Sequence, residues 1–310
     1  GMGSEEGSEA ESVELVCSGI EFSNTRKDAE DQGSWLATIS PGCVCRQKRR
    51  RKGEKSEAST NFQPCAACNL DPGLKIRHRR ETELPDAGLQ VWAGSLLLSD
   101  YLFAHSSLFA HSLIIDLGAG CGLASLAGAS IGATVIATDV GSAVLENLRF
   151  NCTINSEAVH KAGGKIMVQE LPWERSKESL PALDAACGGW LAGPYQRVWV
   201  LAGDDVYDES GEASVALLET MSHILTWASH LKCCQQAELT GLLAVEIRRN
   251  FVVPEMKVVA RAHDAFLDAL REKADDLLAI ETPILFERPL AQEYPLTDDM
   301  QLWRIQRAAP

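Results

Sequence analysis

Apolar positions change their rhythm along this chain near Gln90. Before it, periodicity is poor: Gly, Ser and Glu dominate the start, a basic run Arg46-Gln47-Lys48-Arg49-Arg50-Arg51-Lys52 follows, and Gly and Ser return after it. Beyond it, Trp92, Leu96, Ser99 and Phe103 recur at helical spacing on one face. From His111 onward, short β-rich runs alternate with amphipathic segments. Leu113-Ile114-Ile115-Asp116-Leu117 predicts a buried strand, followed by a helix with Leu123, Leu126 and Ala127 on one side. Residues 134–138 predict a second strand, followed by a helix with Val144, Leu145, Leu148 and Cys152 at its apolar spacing. Further strands fit residues 165–169, 198–202 and 242–247, with a helix around Leu217, Met221, Ile224 and Leu225 before the last of these. A helix bearing Val259, Ala262, Phe266 and Leu270 comes next, and the runs 277–281 and 302–306 suit a closing antiparallel pair.

Near-continuous apolar strands separated by helices are the pattern of a parallel sheet covered on both faces, so the fold class expected is α/β, doubly wound. At 310 residues the chain suits one large core with an appendage. The division expected is an N-terminal extension of low order over residues 1–73, Cys-rich and carrying the basic run, and a catalytic domain over residues 74–310. Apolar residues make up 45% and charged residues 23%, the profile of a globular enzyme. A formal charge of −14 argues against a nucleic-acid footprint for the catalytic domain and is compatible with a basic protein partner. Neither a membrane span nor a secretory signal is expected from the sequence.

The chemistry concentrates after the first strand, in Asp116-Leu117-Gly118-Ala119-Gly120-Cys121-Gly122-Leu123. Glycines at alternate positions let the backbone turn tightly and approach a ligand closely, which makes a cradle for a nucleotide-like cofactor. A dinucleotide loop places its third glycine one residue later, where Leu123 stands, and Asp116 fits a ligand with a positive amino group better than a phosphate. The second strand ends in Asp139, at the distance where an acid meets a ribose diol; an ordinary helix N-cap is the alternative.

At this point the sequence resembles the family-16 branch of seven-β-strand protein methyltransferases. Residues 90–102, Gln-Val-Trp-Ala-Gly-Ser-Leu-Leu-Leu-Ser-Asp-Tyr-Leu, resemble the helix before the cofactor loop in that family. Leu171-Pro172-Trp173 resembles the segment after its third strand, and Leu201-Ala202-Gly203-Asp204-Asp205-Val206-Tyr207 its [DE]-x-x-[YF] motif after the fourth. Val245-Glu246-Ile247-Arg248-Arg249-Asn250-Phe251 resembles the end of its fifth strand, and the likeness spans roughly residues 74–305. The resemblance implies S-adenosylmethionine as cofactor, held by Trp92, Asp116, Gly118, Gly120, Gly122, Asp139, Trp173 and Ala202. It also implies methyl transfer to a lysine side chain of a partner protein, with Asp204 and Tyr207 as catalytic residues on the acceptor side. Taken alone, Trp92 and Trp173 also suit plain core packing. Glu246 and Arg248 are explained as well by a structural ion pair.

Ten cysteines in such a chain read as thiols or metal ligands rather than a disulfide framework. Cys43, Cys45, Cys65 and Cys68 form two close pairs that suit tetrahedral zinc, with four free thiols as the competitor. The basic run suggests a nuclear option, so nucleus or cytoplasm is expected, and a monomer. Rival functions are a nicotinamide oxidoreductase, opposed by Leu123, and a non-catalytic scaffold of the same fold, opposed by the intact loop. A small-molecule or RNA methyltransferase is the runner-up, opposed by the missing Asn-Pro-Pro-Tyr motif.

Overall fold

The computed structural model describes residues 15–17, 20–27, 33–41, 73–282, 284–286 and 299–308. In chain order the strands are β1 (Leu15–Cys17), β2 (Ile20–Lys27), β3 (Trp35–Pro41), β4 (Leu74–His78), β5 (Leu113–Leu117), β6 (Thr134–Asp139), β7 (Lys165–Glu170), β8 (Arg197–Gly203), β9 (Glu238–Glu246), β10 (Asn250–Val252), β11 (Lys257–Val259), β12 (Leu277–Thr282), β13 (Ile284–Phe286) and β14 (Met300–Arg307). The helices are α1 (Ala93–Ala104), α2 (Ser106–Phe109), α3 (Leu123–Ser130), α4 (Ser142–Ile154), α5 (Ser156–Lys161), α6 (Ser176–Cys187), α7 (Glu212–His230) and α8 (Arg261–Glu272).

Seven strands form the central sheet in the order β12-β14-β9-β8-β5-β6-β7. Only the two ladders that β14 makes, with β12 and β9, are antiparallel; the other four are parallel. The expected doubly wound sheet and its closing antiparallel pair are therefore present. Strand β5 is buried at every position, as its apolar run, interrupted only by Asp116, requires when both faces are covered. On one face lie α1, α3 and the β3–β4 pair, which share a core with Ile39, Leu74 and Ile76. On the other face α6, α7 and α8 pack through Leu183, Met221 and Phe266.

Strand order reverses between β5 and β8: from β5 the chain moves outward through β6 and β7, then returns to β8 on the opposite side. The carboxyl ends of these two neighbours open a crevice, the place where such sheets hold ligands.

Three details differ from the pattern read along the chain. Helix α1 has no polar face, because Leu96 through Phe103 are all buried between the sheet and its neighbours. Val259 belongs to β11 rather than to the following helix, since the chain forms a short hairpin, β10 with β11, before α8 begins. Strand β4, at the start of the expected catalytic domain, pairs with β3 from the expected extension, and β3 with β2. Cys43, Cys45, Cys65, Cys68 and the basic run lie outside the described residues.

Candidate active site

The glycine loop leaves β5 with Gly118, Gly120 and Gly122 at φ 61°, 52° and 82°, a left-handed path that other residues enter only with strain. Close approach adds a second requirement at Gly118. A Cβ there would overlap Asp205 Oδ1 and come within 3.0 Å of the Trp173 ring. The loop is thus a cradle walled by a carboxylate and an indole edge.

Four carboxylates converge on it from three strand ends. Asp116 is 2% exposed and its Oδ2 accepts from Ser125 Oγ at 2.5 Å, so it faces α3 rather than open space. Burial pushes its pKa up to about 7, against the opposing pull of Ser125. Asp139 accepts from Gly120 N and Val140 N, each at 2.7 Å. It is not the N-cap of α4, where Gly141 stands, but the brace that fixes the glycine loop to the end of β6. Burial raises its pKa as well.

Asp204 follows β8 at φ 72°, a left-handed conformation whose cost for a residue other than glycine is of order 1–3 kcal/mol. Its carboxylate, 1% exposed, meets Arg248 Nη2 at 2.9 Å and accepts from Gly94 N at 3.5 Å at the start of α1. Burial raises its pKa and Arg248 opposes the rise. Gly94 allows this contact, because a Cβ there would sit 2.5 Å from Asp204 N. Arg248 also reaches Glu246 at 3.6 Å, and its guanidinium lies 5.2 Å from the Trp92 ring centre. Trp92 donates its indole N–H to Ala87 O at 2.8 Å. Trp92, Asp204, Glu246 and Arg248 therefore form one cluster beside the crevice, and the ion pair expected of Glu246 and Arg248 exists.

Tyr207 is 45% exposed at the crevice mouth. Burial of its remainder, then the charges of Asp205 and Asp208, raise its pKa. The acids after it are less free than the sequence implies. Asp208 accepts from Ser210 N, Ser210 Oγ and Ala213 N at the start of α7, and Glu209 lies 3.7 Å from Arg261. Ala202, fully buried, pairs with Leu117 in β5 and contributes backbone alone to the crevice floor.

The residues suit a ligand that is cationic and rich in hydroxyls. Asp139 and Asp205 beside a tight glycine turn, with Asp116 and Asp204 behind them, disfavour phosphate and favour a positive group. Asp205 lies inside the quoted motif, but nothing in the sequence sets it apart from Asp204 beside it. Asn147, Asn151 and Asn155 were not singled out either; their spacing of four along α4 and its C-cap was the available signal.

Comparison with known proteins places this geometry. Residues 70–241, more than half of the chain, match the family described as lysine methyltransferase. The chain belongs to the lysine methyltransferase family. Methyltransferase-like protein 22 of Mus musculus is 33% identical over 240 residues, covering 75% of this chain and 58% of that protein. The Homo sapiens protein of the same name is 32% identical over 241 residues, covering 75% and 57%. Protein-lysine N-methyltransferase rrg1 of Schizosaccharomyces pombe is 31% identical over 208 residues, covering 66% and 62%. This lysine methyltransferase family member thus spans less than two thirds of the length of each of these relatives. Among the described residues, no group of three or more His, Cys, Asp or Glu is placed to hold a metal ion, and no helix is long and apolar enough to cross a membrane.

Proposed function

We propose that this chain is a protein-lysine N-methyltransferase that uses S-adenosylmethionine. The observation that carries the proposal is the acid-walled glycine cradle at the β5/β8 switch point of a chain in the lysine methyltransferase family. When bound, S-adenosylmethionine supplies a methyl carbon activated by its sulfonium. Asp139 braces the loop and offers its carboxylate toward the ribose side, and the Trp173 ring covers the loop from the β7 side. Tyr207 walls the opening through which a lysine side chain enters. The amine must arrive neutral to use its lone pair, so one proton leaves to solvent and one methyl passes from sulfur to nitrogen.

Asp204 serves as a positioning residue on this reading. Its carboxylate holds Arg248 and the start of α1 rather than facing the crevice, so it fixes the wall against which the acceptor aligns. The test is a labelled-methyl assay with a proteome extract, followed by titration of S-adenosylhomocysteine. The wild-type chain is expected to label a protein band at lysine. Asp204→Ala should lower kcat by orders of magnitude while affinity for S-adenosylhomocysteine stays within a few-fold, and Arg248→Ala should lower kcat in parallel. Near-normal transfer by Asp204→Ala would remove it from the acceptor wall. Absence of any labelled lysine with added S-adenosylmethionine would remove the activity itself.

A further inference from the structure

Of the four carboxylates at the cradle, three are engaged by the protein. Asp116 is held by Ser125, Asp139 by two backbone N–H groups, and Asp204 by Arg248 and Gly94. Asp205 differs. It is 9% exposed, its Oδ2 has no hydrogen-bond partner among the described residues, and its Oδ1 lies over Gly118 in the space a Cβ would fill. A buried acceptor left unsatisfied is costly, more so when charged, and a side chain in that state is arranged for a donor that arrives from outside.

The neighbourhood selects the kind of donor. Burial, then Asp139, Asp116 and Asp204, all oppose the ionised form of Asp205, and only the backbone of Gly203 favours it. A neutral hydroxyl would leave that repulsion in place, whereas an ammonium offsets it and makes a charge-assisted hydrogen bond. Position selects the part of the ligand. Asp139 stands at the end of β6, on one side of the loop, and Asp205 follows β8, on the other side of β5. A nucleoside held by its ribose at Asp139 extends its tail toward β8.

We propose that Asp205 binds the α-amino group of the cofactor's amino-acid tail, an assignment that rests on the S-adenosylmethionine reading above. Asp116, the acid the sequence offers for that amino group, is turned away to Ser125. The experiment is calorimetric titration of the full chain and of Asp205→Asn with two ligands, S-adenosylhomocysteine and 5′-methylthioadenosine, which lacks the amino-acid tail. The expected result is a loss of at least tenfold in affinity of Asp205→Asn for S-adenosylhomocysteine, with 5′-methylthioadenosine bound as by wild type. Asp205→Ala, melting at or above the wild-type temperature once the buried repulsion is gone, should repeat the pattern. An equal loss for both ligands, or affinity for S-adenosylhomocysteine within twofold of wild type, overturns the assignment; the second result is also what an Asp205 serving only the acceptor amine would give. If the wild-type chain binds neither ligand, the cofactor reading itself fails, which is a different outcome from an unaffected variant.

Discussion

Asp139 acts within the chain before any ligand arrives, because its two oxygens accept from Gly120 N and Val140 N. Asp139→Ala releases the loop from β6 and removes the acid on the ribose side. Calorimetry should show S-adenosylhomocysteine bound more weakly by roughly the 2 kcal/mol scale of charged hydrogen bonds. Unchanged affinity would separate the brace from the binding site. The neighbouring Asp116 gives a pH prediction. Burial first, with Asp139 adding, places its pKa at about 7 in the folded protein, above the ordinary 3.8. The folded state then holds a proton that the unfolded chain releases, so this group favours folding below the ordinary value. That contribution falls as pH rises to about 7 and is level above it. Asp139, Asp204 and Asp205 are shifted the same way and Asp208 the other, so the comparison is made between two proteins that differ at Asp116 alone, whose charge also acts on Asp205. Asp116→Asn keeps an acceptor for Ser125 and should lose less melting temperature than wild type between pH 5 and pH 8. Parallel melting curves across that range would show that Asp116 is not shifted.

Helix α4 holds β4 by a device more usual between strands. Asn155 accepts from Lys75 N and donates to Lys75 O, at 2.9 and 2.7 Å. Four residues earlier, Asn151 accepts from Arg77 N at 2.8 Å and donates to Arg77 O at 3.0 Å. Asn147 takes Arg77 Nε and also reaches Arg77 O. Spacing of four keeps Asn147 and Asn151 on one stripe of the helix, with Asn155 following at its C-cap, and alternate residues of the strand turn their backbone groups toward them. Asn151 also donates to Cys121 O at 2.9 Å, tying β4 to the glycine loop. Asn151→Ala leaves buried backbone groups unsatisfied and should destabilise the protein by about 2–3 kcal/mol, read from denaturant midpoints. A change below about 0.5 kcal/mol, the range of surface substitutions, would mean the ladder is replaceable by water.

Across the whole molecule, β3 joins the second sheet to the central core. Ala37 and Ile39 have no exposed surface, and Ile39 packs in the cluster that holds Leu74, Ile76 and α1. A protein beginning at residue 73 loses that cover. Burial of one isoleucine alone contributes about 2 kcal/mol, so the shortened protein should melt at least about 5 °C below the full chain. Equal melting temperatures would show that the core closes without β3. The sequence by itself determined the central sheet, because short near-continuous apolar runs such as 113–117 and 198–202, alternating with amphipathic helical segments, are the pattern of strands covered on both faces. It determined the glycine loop as well, since alternate glycines after a buried strand leave few other uses. The second sheet was not legible, because β3 and β4 are separated by more than thirty residues and periodicity in this part of the sequence is poor. Nor could the sequence rank the four acids, each of which stands at a strand end and carries the same charge. Which of them is held by a hydroxyl, a backbone amide or an arginine depends on how the strand ends and the segments after them meet in the folded chain. Tertiary structure alone turned Asp116 toward Ser125, Asp204 toward Arg248, and left Asp205 Oδ2 unpartnered over the cradle. The physical reason is that a side chain's protonation and direction are set by the partners around it in space, some near in sequence like Ser125 and some distant like Gly94 and Arg248.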